Sequence, residues 1–177
     1  MQWVLQNLGG WEKELEYCDH LLQEDVFNNS AWNQRYFVIT RSPLLGGANE
    51  MRSTEVQYCI NAILRYPENE SPWRYMRGLF KDEDEAFVSN CEITDLVMRV
   101  LSDEVDHVFA LSTLLDLVCH GFKPDEQMQG AVEALVETLS VSENSGLAAR
   151  VCAILEVIDP MRCKYWKWRR NELPHLS

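Results

Sequence analysis

The sequence contains an internal repeat marked by tryptophan and cysteine. A shift of 41 residues superimposes five identical pairs: Tyr17 and Tyr58, Cys18 and Cys59, Asn28 and Asn69, Ser30 and Ser71, and Trp32 and Trp73. Tryptophan and cysteine each occur only six times, so composition does not explain the coincidence. A further shift of 93 residues places Cys152, Pro160 and Trp166 over Cys59, Pro67 and Trp73. Because a cysteine thus precedes a tryptophan by fourteen residues three times, the sequence predicts an array of related structural units.

Apolar residues follow helical spacing along nearly the whole chain. Leu15, Cys18, Leu22 and Val26 form one such series, and no segment alternates convincingly between apolar and polar residues. The sequence therefore predicts an all-α protein. The predicted helices are 11–26, 30–41, 52–66, 71–82, 92–103, 106–120, 125–140, 145–158 and 160–173.

Each copy of the repeat holds two predicted helices and is interpreted as a helical hairpin. A single hairpin cannot cover its own apolar faces, so it must stack on its neighbours. The expected architecture is an α-α superhelix, a right-handed, crescent-shaped solenoid of hairpins with a concave binding surface. The expected single solenoid domain, residues 1–177, contains a partial repeat at 1–10, repeats at about 11–41 and 52–82, degenerate repeats at 84–141 and a closing repeat at 145–173.

Charge and hydropathy exclude several classes of function. The chain has 177 residues, 46% of them hydrophobic, which is enough for a sizeable core. A net charge of −12 argues against duplex nucleic acid as a partner, and the basic cluster Lys164–Arg170 is interpreted as complementing the negative end of its own helix or an acidic patch elsewhere. No apolar run is long enough to span a bilayer and no signal peptide is recognisable, so we expect a cytoplasmic protein.

The cysteines and histidines indicate no catalytic or metal centre within this chain. The six cysteines contain no CxxC pair and are interpreted as reduced thiols, several of them buried in helices. The four histidines form no H-E-x-x-H motif, and no glycine-rich phosphate loop or G-x-S-x-G elbow occurs. The acidic run 82–85 lacks the spaced ligands of a calcium loop and is expected to be a solvated connection.

The tryptophans are expected to lie between successive hairpins. Trp32, Trp73 and Trp166 should be buried, with each indole N–H donating to an acceptor. Arg35, one turn after Trp32, has two alternatives: an ion pair with a carboxylate of an adjacent unit, or a contact with a partner. Tyr36 has the same two alternatives. Residues 28–30, Asn-Asn-Ser, are expected to cap the second helix of the hairpin.

The segment EYCDHLLQEDVFNNSAWNQRYFVI closely resembles a repeat of protein prenyltransferase α subunits, in particular the subunit shared by farnesyltransferase and type I geranylgeranyltransferase. EVQYCINAILRYPENESPWRYMRG resembles the next repeat, FALSTLLDLV a degenerate one and DPMRCKYWKWRR the closing helix. The loop SPLLGG is similar to plant members. The resemblance implies a heterodimer whose β subunit holds a catalytic zinc ion, with magnesium as a further candidate cofactor of the holoenzyme.

The implied reaction transfers a farnesyl or geranylgeranyl group from its diphosphate to the cysteine of a C-terminal CaaX motif. In the family, α-subunit lysine and tyrosine contacts to the diphosphate lie in earlier repeats, upstream of the segment at which this chain begins. The chain is therefore expected to be a C-terminal part of an α subunit, inactive alone, with no catalytic residue or metal of its own. The residues expected at the β-subunit interface or in the repeat signature are Asn29, Ser30, Trp32, Asn33, Arg35, Tyr36, Trp73, Arg74, Tyr75, Arg77, Trp166 and Arg169.

Two other classes of protein remain open at the level of sequence. The α subunit of Rab geranylgeranyltransferase has similar repeats but usually carries additional C-terminal domains. A tetratricopeptide adaptor also consists of hairpins of about 34 residues and binds peptides without catalysing a reaction. Its small residues at helix crossings are absent here, and tryptophan recurs instead.

Overall fold

The computed structural model describes residues 10–43, 48–142 and 146–173. These residues are helical or in turns and loops, and no strand occurs among them. The chain divides into two compact units, Met1–Asp82 and Glu83–Ser177. We refer to them as unit 1 and unit 2 and describe each by itself.

Unit 1 contains two helical hairpins. Its helices are α1 (Trp11–Glu24), α2 (Asn29–Arg41), α3 (Ala48–Arg65) and α4 (Glu70–Gly78). Helix α1 packs on α2 and α3 packs on α4, and the second helices of the two hairpins also contact each other. Asparagines start these second helices: Asn28 Oδ1 accepts from the Ala31 amide at 3.1 Å, and Asn69 Oδ1 accepts from the Ser71 amide at 3.1 Å. The predicted capping function is therefore carried out by Asn28 and its repeat equivalent.

Unit 2 contains the remaining helices. They are α5 (Asp84–Val88), α6 (Cys91–Asp103), α7 (Val108–Cys119), α8 (Glu126–Thr138), α9 (Leu147–Ile158), a 3₁₀ turn (Pro160–Arg162) and α10 (Cys163–Asn171). Helix α6 packs on α7, α9 packs on α7, α8 and α10, and no strand joins them within the described part of this unit. Side-chain caps again mark helix starts, at Asn90, His107 and Asp125.

Every predicted helix has a counterpart, and the differences lie at helix ends. Helix α1 ends at Glu24 because Asp25 turns the chain, its carboxylate accepting from the Phe27 amide at 2.9 Å. The predicted helix 71–82 is shorter, since α4 ends at Gly78. The five-residue α5 was not predicted, and it begins inside the acidic run expected to be a connection. Residues 1–9 of the predicted partial repeat 1–10 and residues 44–47 of the SPLLGG loop lie outside the described residues.

Candidate functional site

The indole groups of Trp32 and Trp73 make the same contact in successive hairpins. Trp32 Nε1 donates to the Val26 carbonyl at 2.8 Å, and Trp73 Nε1 donates to the Pro67 carbonyl at 2.9 Å. The two acceptors are themselves 41 residues apart. Both indoles are buried, at 2% and 4% exposure. The predicted burial and the predicted need for an acceptor are therefore confirmed at both positions.

Trp32 lies between its own hairpin and the next one. Its ring meets Tyr58 of α3 and Tyr75 of α4 edge to face, with centroid distances of 5.6 and 5.3 Å. Such aromatic pairs add about 0.5–1.5 kcal/mol each beyond the area they bury. The predicted position of Trp32 between successive hairpins is confirmed.

Asn69 also links the two hairpins. Its amide Nδ2 donates to the Val26 carbonyl at 2.8 Å, the same carbonyl that accepts from Trp32. Its Oδ1 caps α4, so one buried side chain both starts a helix and holds the preceding turn. Nearby, Ser71 Oγ lies 3.3 Å from Asn29 Oδ1, which connects the two helix starts directly.

The third tryptophan uses a carboxylate as its acceptor. Trp166 Nε1 donates to Asp159 Oδ2 at 2.9 Å, and Arg162 Nε donates to the same oxygen at 2.6 Å. Asp159 directly precedes Pro160, the repeat equivalent of Pro67. Trp166 is 2% exposed. Its predicted burial is confirmed, with a side chain in place of the backbone carbonyl.

Arg35 forms a buried ion cluster with two carboxylates of unit 1. Its Nε and Nη2 donate to Glu55 Oε2 and Oε1, both at 2.7 Å, and Nη1 donates to Asp19 Oδ1 at 2.5 Å. The guanidinium also lies 4.0 Å from the centroid of the Tyr58 ring. Because Arg35 is only 4% exposed, it is not a surface residue. Of the two alternatives for Arg35, an ion pair with an adjacent unit or a contact with a partner, the structure shows the ion pair.

Glu55 lies at the centre of this cluster and was not identified from the sequence. It is fully buried, and besides Arg35 it accepts from the Tyr75 hydroxyl at 2.5 Å. Glu14, 41 residues earlier, accepts from Gln34 Nε2 at 2.9 Å, and Gln34 is the repeat equivalent of Tyr75. The sequence signal that could have identified Glu55 is therefore the glutamate at the same position in both repeats, Glu14 and Glu55.

The environment of this cluster stabilises protonated tyrosine and thiol groups. Burial, followed by the charge of and hydrogen bond to Glu55, raises the pKa of Tyr75, and burial raises the pKa of Tyr58 to about 12. Burial likewise raises the pKa of Cys18 to about 11. Burial opposes the charge of Arg35, but the hydrogen bonds and charge of Glu55 outweigh it and raise its pKa. These groups hold their protons at neutral pH, which suits packing rather than proton transfer.

These shifts predict a loss of stability in alkaline solution. The folded-state pKa values of Cys18 and Tyr58 lie above their ordinary values of 9.0 and 10.0. A group with a raised folded-state pKa contributes its full stability below the unfolded value and loses it as pH rises. We expect the melting temperature to fall steadily between about pH 9 and 12, and the thiolate absorbance of Cys18 to appear only as the chain unfolds. Early thiolate absorbance from Cys18 in the folded chain would contradict this; a Cys18→Ala variant identifies its signal.

The predicted partner-facing residues divide into exposed and internal groups. Asn29, Ser30 and Asn33 are exposed at the start of α2, and the Arg74 side chain is 80% exposed on α4. Tyr36 and Arg77 are half-buried and donate to the backbone carbonyls of Gly78 and Phe80. Tyr75 is buried. The starts of α2 and α4 are thus the places where predicted interface residues remain accessible in unit 1.

In unit 2, Arg169 joins α10 to α7. It pairs with Asp116, and its Nη1 lies 3.1 Å from the Tyr165 hydroxyl. Burial opposes the charge of Arg169, but Asp116 outweighs it and raises the pKa of Arg169. Arg169 follows Trp166 by three residues, as Arg35 follows Trp32. A tryptophan with a paired arginine one turn later is therefore used in both units.

Neither a metal centre nor a membrane-spanning helix occurs in the part of the chain that is described. In residues 10–43, 48–142 and 146–173, no three or more His, Cys, Asp or Glu side chains converge so as to hold a metal ion. In the same ranges, no helix combines the length and apolar character needed to cross a membrane.

Two plant proteins and one solved structure are similar to this chain. A protein farnesyltransferase/geranylgeranyltransferase type-1 subunit alpha of Pisum sativum is 54% identical over 96% of this chain and 51% of its own length. That of Arabidopsis thaliana is 51% identical over 94% and 50%. A structure of Candida albicans protein geranylgeranyltransferase-I complexed with GGPP matches 97% of this chain and 51% of its own, with 22% identity and a TM-score of 0.69. The chain spans about half the length of the curated relatives it matches.

The fold and the repeated tryptophan contacts define a helical-hairpin repeat protein of the α-α superhelix class. The protein prenyltransferase alpha subunit repeat matches residues 11–42 and 52–82, the two hairpins that carry Trp32 and Trp73. The chain belongs to the protein prenyltransferase α-subunit family. Both plant relatives bear the type-1 name, which favours this branch over the Rab and tetratricopeptide alternatives.

Proposed function

We propose that this chain acts as part of the α subunit of a heterodimeric protein prenyltransferase and supplies scaffold and contacts to a β subunit. The complex would transfer farnesyl or geranylgeranyl from an isoprenoid diphosphate to the cysteine of a C-terminal CaaX motif in a protein substrate. The observation that carries the proposal is the pair of matched family repeats, in which the signature residues Trp32 and Arg35 contact the next hairpin. We place this activity in the cytoplasm.

We propose that the zinc ion used in such a reaction lies outside this chain, as the resemblance to the family implies. The buried thiols of Cys18 and Cys59 support this, because burial raises their pKa values. A cysteine binds zinc as the thiolate, which these environments disfavour. We therefore assign zinc, and any magnesium, to the β-subunit side of the complex.

The chain's own contribution is to hold exposed helix starts in fixed positions. Asn29, Ser30 and Asn33 begin α2, which Arg35 ties to α1 and α3 through Asp19 and Glu55. Arg74 lies on α4, which Asn69 ties to the preceding hairpin. Residues held by rigid elements lose little conformational entropy on binding, which favours tight association.

Co-elution with a β subunit tests the proposal. The chain would be mixed with a plant farnesyltransferase β chain, a type I geranylgeranyltransferase β chain and, separately, a Rab geranylgeranyltransferase β chain. We expect a one-to-one complex in size-exclusion chromatography with the first two. Separate elution from both would contradict the proposal, co-elution with the Rab enzyme's β chain alone would indicate the other branch, and capture of free peptides without any β chain would revive the adaptor interpretation.

Reversal of the charge at Arg74 should weaken this complex. The Arg74 side chain is exposed, and its Nη1 lies 4.0 Å from Glu70 Oε1, so its replacement should change the stability of the free chain little. We expect Arg74→Glu to raise the Kd for the β chain by about tenfold, with an unchanged melting temperature. Biolayer interferometry measures the first and thermal unfolding the second. Arg99→Glu, at an exposed position on α6, is the matched control and should bind like the wild type.

A further inference from the structure

The last described helix, α10, has an inner and an outer side. On the inner side, Trp166 is buried and Arg169 and Arg170 pair with Asp116 and Glu156. The outer side carries large apolar groups instead: Tyr165 is 43% and Trp168 56% exposed, and Met161 in the preceding turn is 94% exposed. The spacing of these three residues places them along one side of the helix and its leading turn. We call this set the outer aromatic face.

Two lysines flank the outer aromatic face. Lys164 and Lys167 are exposed, and neither has an ionic partner among the described residues. The nearby arginines differ, since Arg162, Arg169 and Arg170 each pair with a carboxylate of unit 2. A chain with a net charge of −12 thus presents two lysines without ionic partners in its described part, beside Trp168, the most exposed tryptophan among the described residues.

We propose that the outer aromatic face, with Lys164 and Lys167, is a docking surface for the β subunit, at a place where that subunit presents an apolar socket rimmed by carboxylates. The inference rests on the function proposed above and identifies a contact in unit 2. Tryptophan, tyrosine and methionine are enriched in the cores of protein interfaces, and complementary charges at the rim fix orientation and speed association.

The same residue types also occur at membrane surfaces, but the charge of the chain favours a protein partner. Two lysines give only a weak attraction to anionic lipid, and stable membrane anchoring by peripheral groups takes two strong signals. A net charge of −12 adds repulsion from an anionic leaflet. A socket on a protein would need carboxylates only opposite Lys164 and Lys167.

The inference also separates two roles in the closing repeat. Trp166 and Arg169, the residues expected there from the sequence, hold α10 against Asp159 and Asp116. Their neighbours Tyr165 and Trp168 are turned outward, with ring centroids 5.9 Å apart. The buried pair positions the helix, and the exposed pair makes the contact.

The test measures binding to the farnesyltransferase and type I geranylgeranyltransferase β chains by biolayer interferometry. The first variant combines Met161→Ala with Trp168→Ala and keeps Tyr165, whose hydroxyl is bonded to Arg169. The second combines Lys164→Glu with Lys167→Glu. We expect each to weaken binding at least about tenfold, the lysine variant most strongly at low salt, with unchanged melting temperatures. Tyr17→Ala removes a 50% exposed tyrosine of α1 and is the matched control, expected to bind like the wild type.

The outcomes separate this inference from the proposed function. If the wild-type chain binds neither β chain, the proposed function and the docking surface are both wrong. If it binds both and the two variants bind equally well, the docking surface is wrong and the proposed function stands. The docking surface is also wrong if the variants instead lose binding to phosphatidylserine vesicles, or lose self-association in sedimentation, while their affinity for the β chains is unchanged.

Discussion

Substitution of Trp32 by alanine is expected to destabilise the chain by about 3–5 kcal/mol. The indole is 2% exposed and fills the space between α2 and the next hairpin, where it contacts Tyr58 and Tyr75. Its removal leaves a cavity and breaks two aromatic contacts. The Val26 carbonyl keeps one donor, Asn69 Nδ2, so the loss arises mainly from packing. Urea unfolding followed by circular dichroism measures the change in unfolding free energy.

Trp168→Ala is the matched control for this prediction. The same residue type is removed, but Trp168 is 56% exposed, and exposed substitutions usually change stability by within about 0.5 kcal/mol. Trp32→Phe should be intermediate, because it keeps much of the volume but loses the hydrogen bond, worth about 1 kcal/mol. Equal stabilities for Trp32→Ala and Trp168→Ala would show that Trp32 does not hold the hairpins together.

Arg35→Ala should be as damaging, for an electrostatic reason. It leaves the fully buried Glu55 without its bidentate partner, and breaking a buried ion pair on one side typically costs about 3–5 kcal/mol. The Tyr75 hydroxyl still donates to Glu55, but a single neutral donor does not compensate a buried negative charge. We expect a large fall in the urea midpoint, or a chain that does not fold at neutral pH.

A paired replacement keeps this prediction testable even if the single variant fails to fold. In Arg35→Met combined with Glu55→Leu, no fully buried charge remains uncompensated, because the Asp19 side chain is 37% exposed, and such replacements of buried ion pairs are often neutral or stabilising. The double variant should therefore be more stable than Arg35→Ala, although Asp19 and Tyr75 lose partners. If the single and double variants were equally unstable, the cost would come from lost packing rather than from the buried charge.

The parts of the fold that were predictable from sequence depend on rare residues and on local rules. Tryptophan and cysteine are scarce enough that their fourteen-residue spacing stands out, and asparagines before helix starts have a local capping role. The contact of the indole with a carbonyl six residues earlier is also local, which is why it recurs at Trp32 and Trp73. These features depend on residues close together in the chain.

The features that were not predicted depend on which helices meet. Glu55 is one of 28 acidic residues, and its sequence neighbourhood does not show that it is fully buried. Its partner Arg35 is twenty residues away, and Asp116 is 53 residues from Arg169. Helix α5 was missed because five residues give less than two turns and no readable periodicity. The burial of Trp166 was predicted from its place in the repeat, but the exposure of Trp168 follows only from the packing of α10.

Hydrogen exchange of the chain, free and bound to a β subunit, tests the central claim most directly. Apart from the Ala31 and Ser71 amides, which the Asn28 and Asn69 side chains cap, the first amides of a helix lack intrahelical partners, so the starts of α2 and α4 should exchange faster than the helix interiors in the free chain. On formation of the complex we expect slowed exchange at residues 29–33 and at residues 70, 71, 73 and 74, with little change in the interior of α3 around the buried Glu55. A complex that forms without altering exchange at either helix start would contradict the account of these repeats as the scaffold of a partner-binding surface.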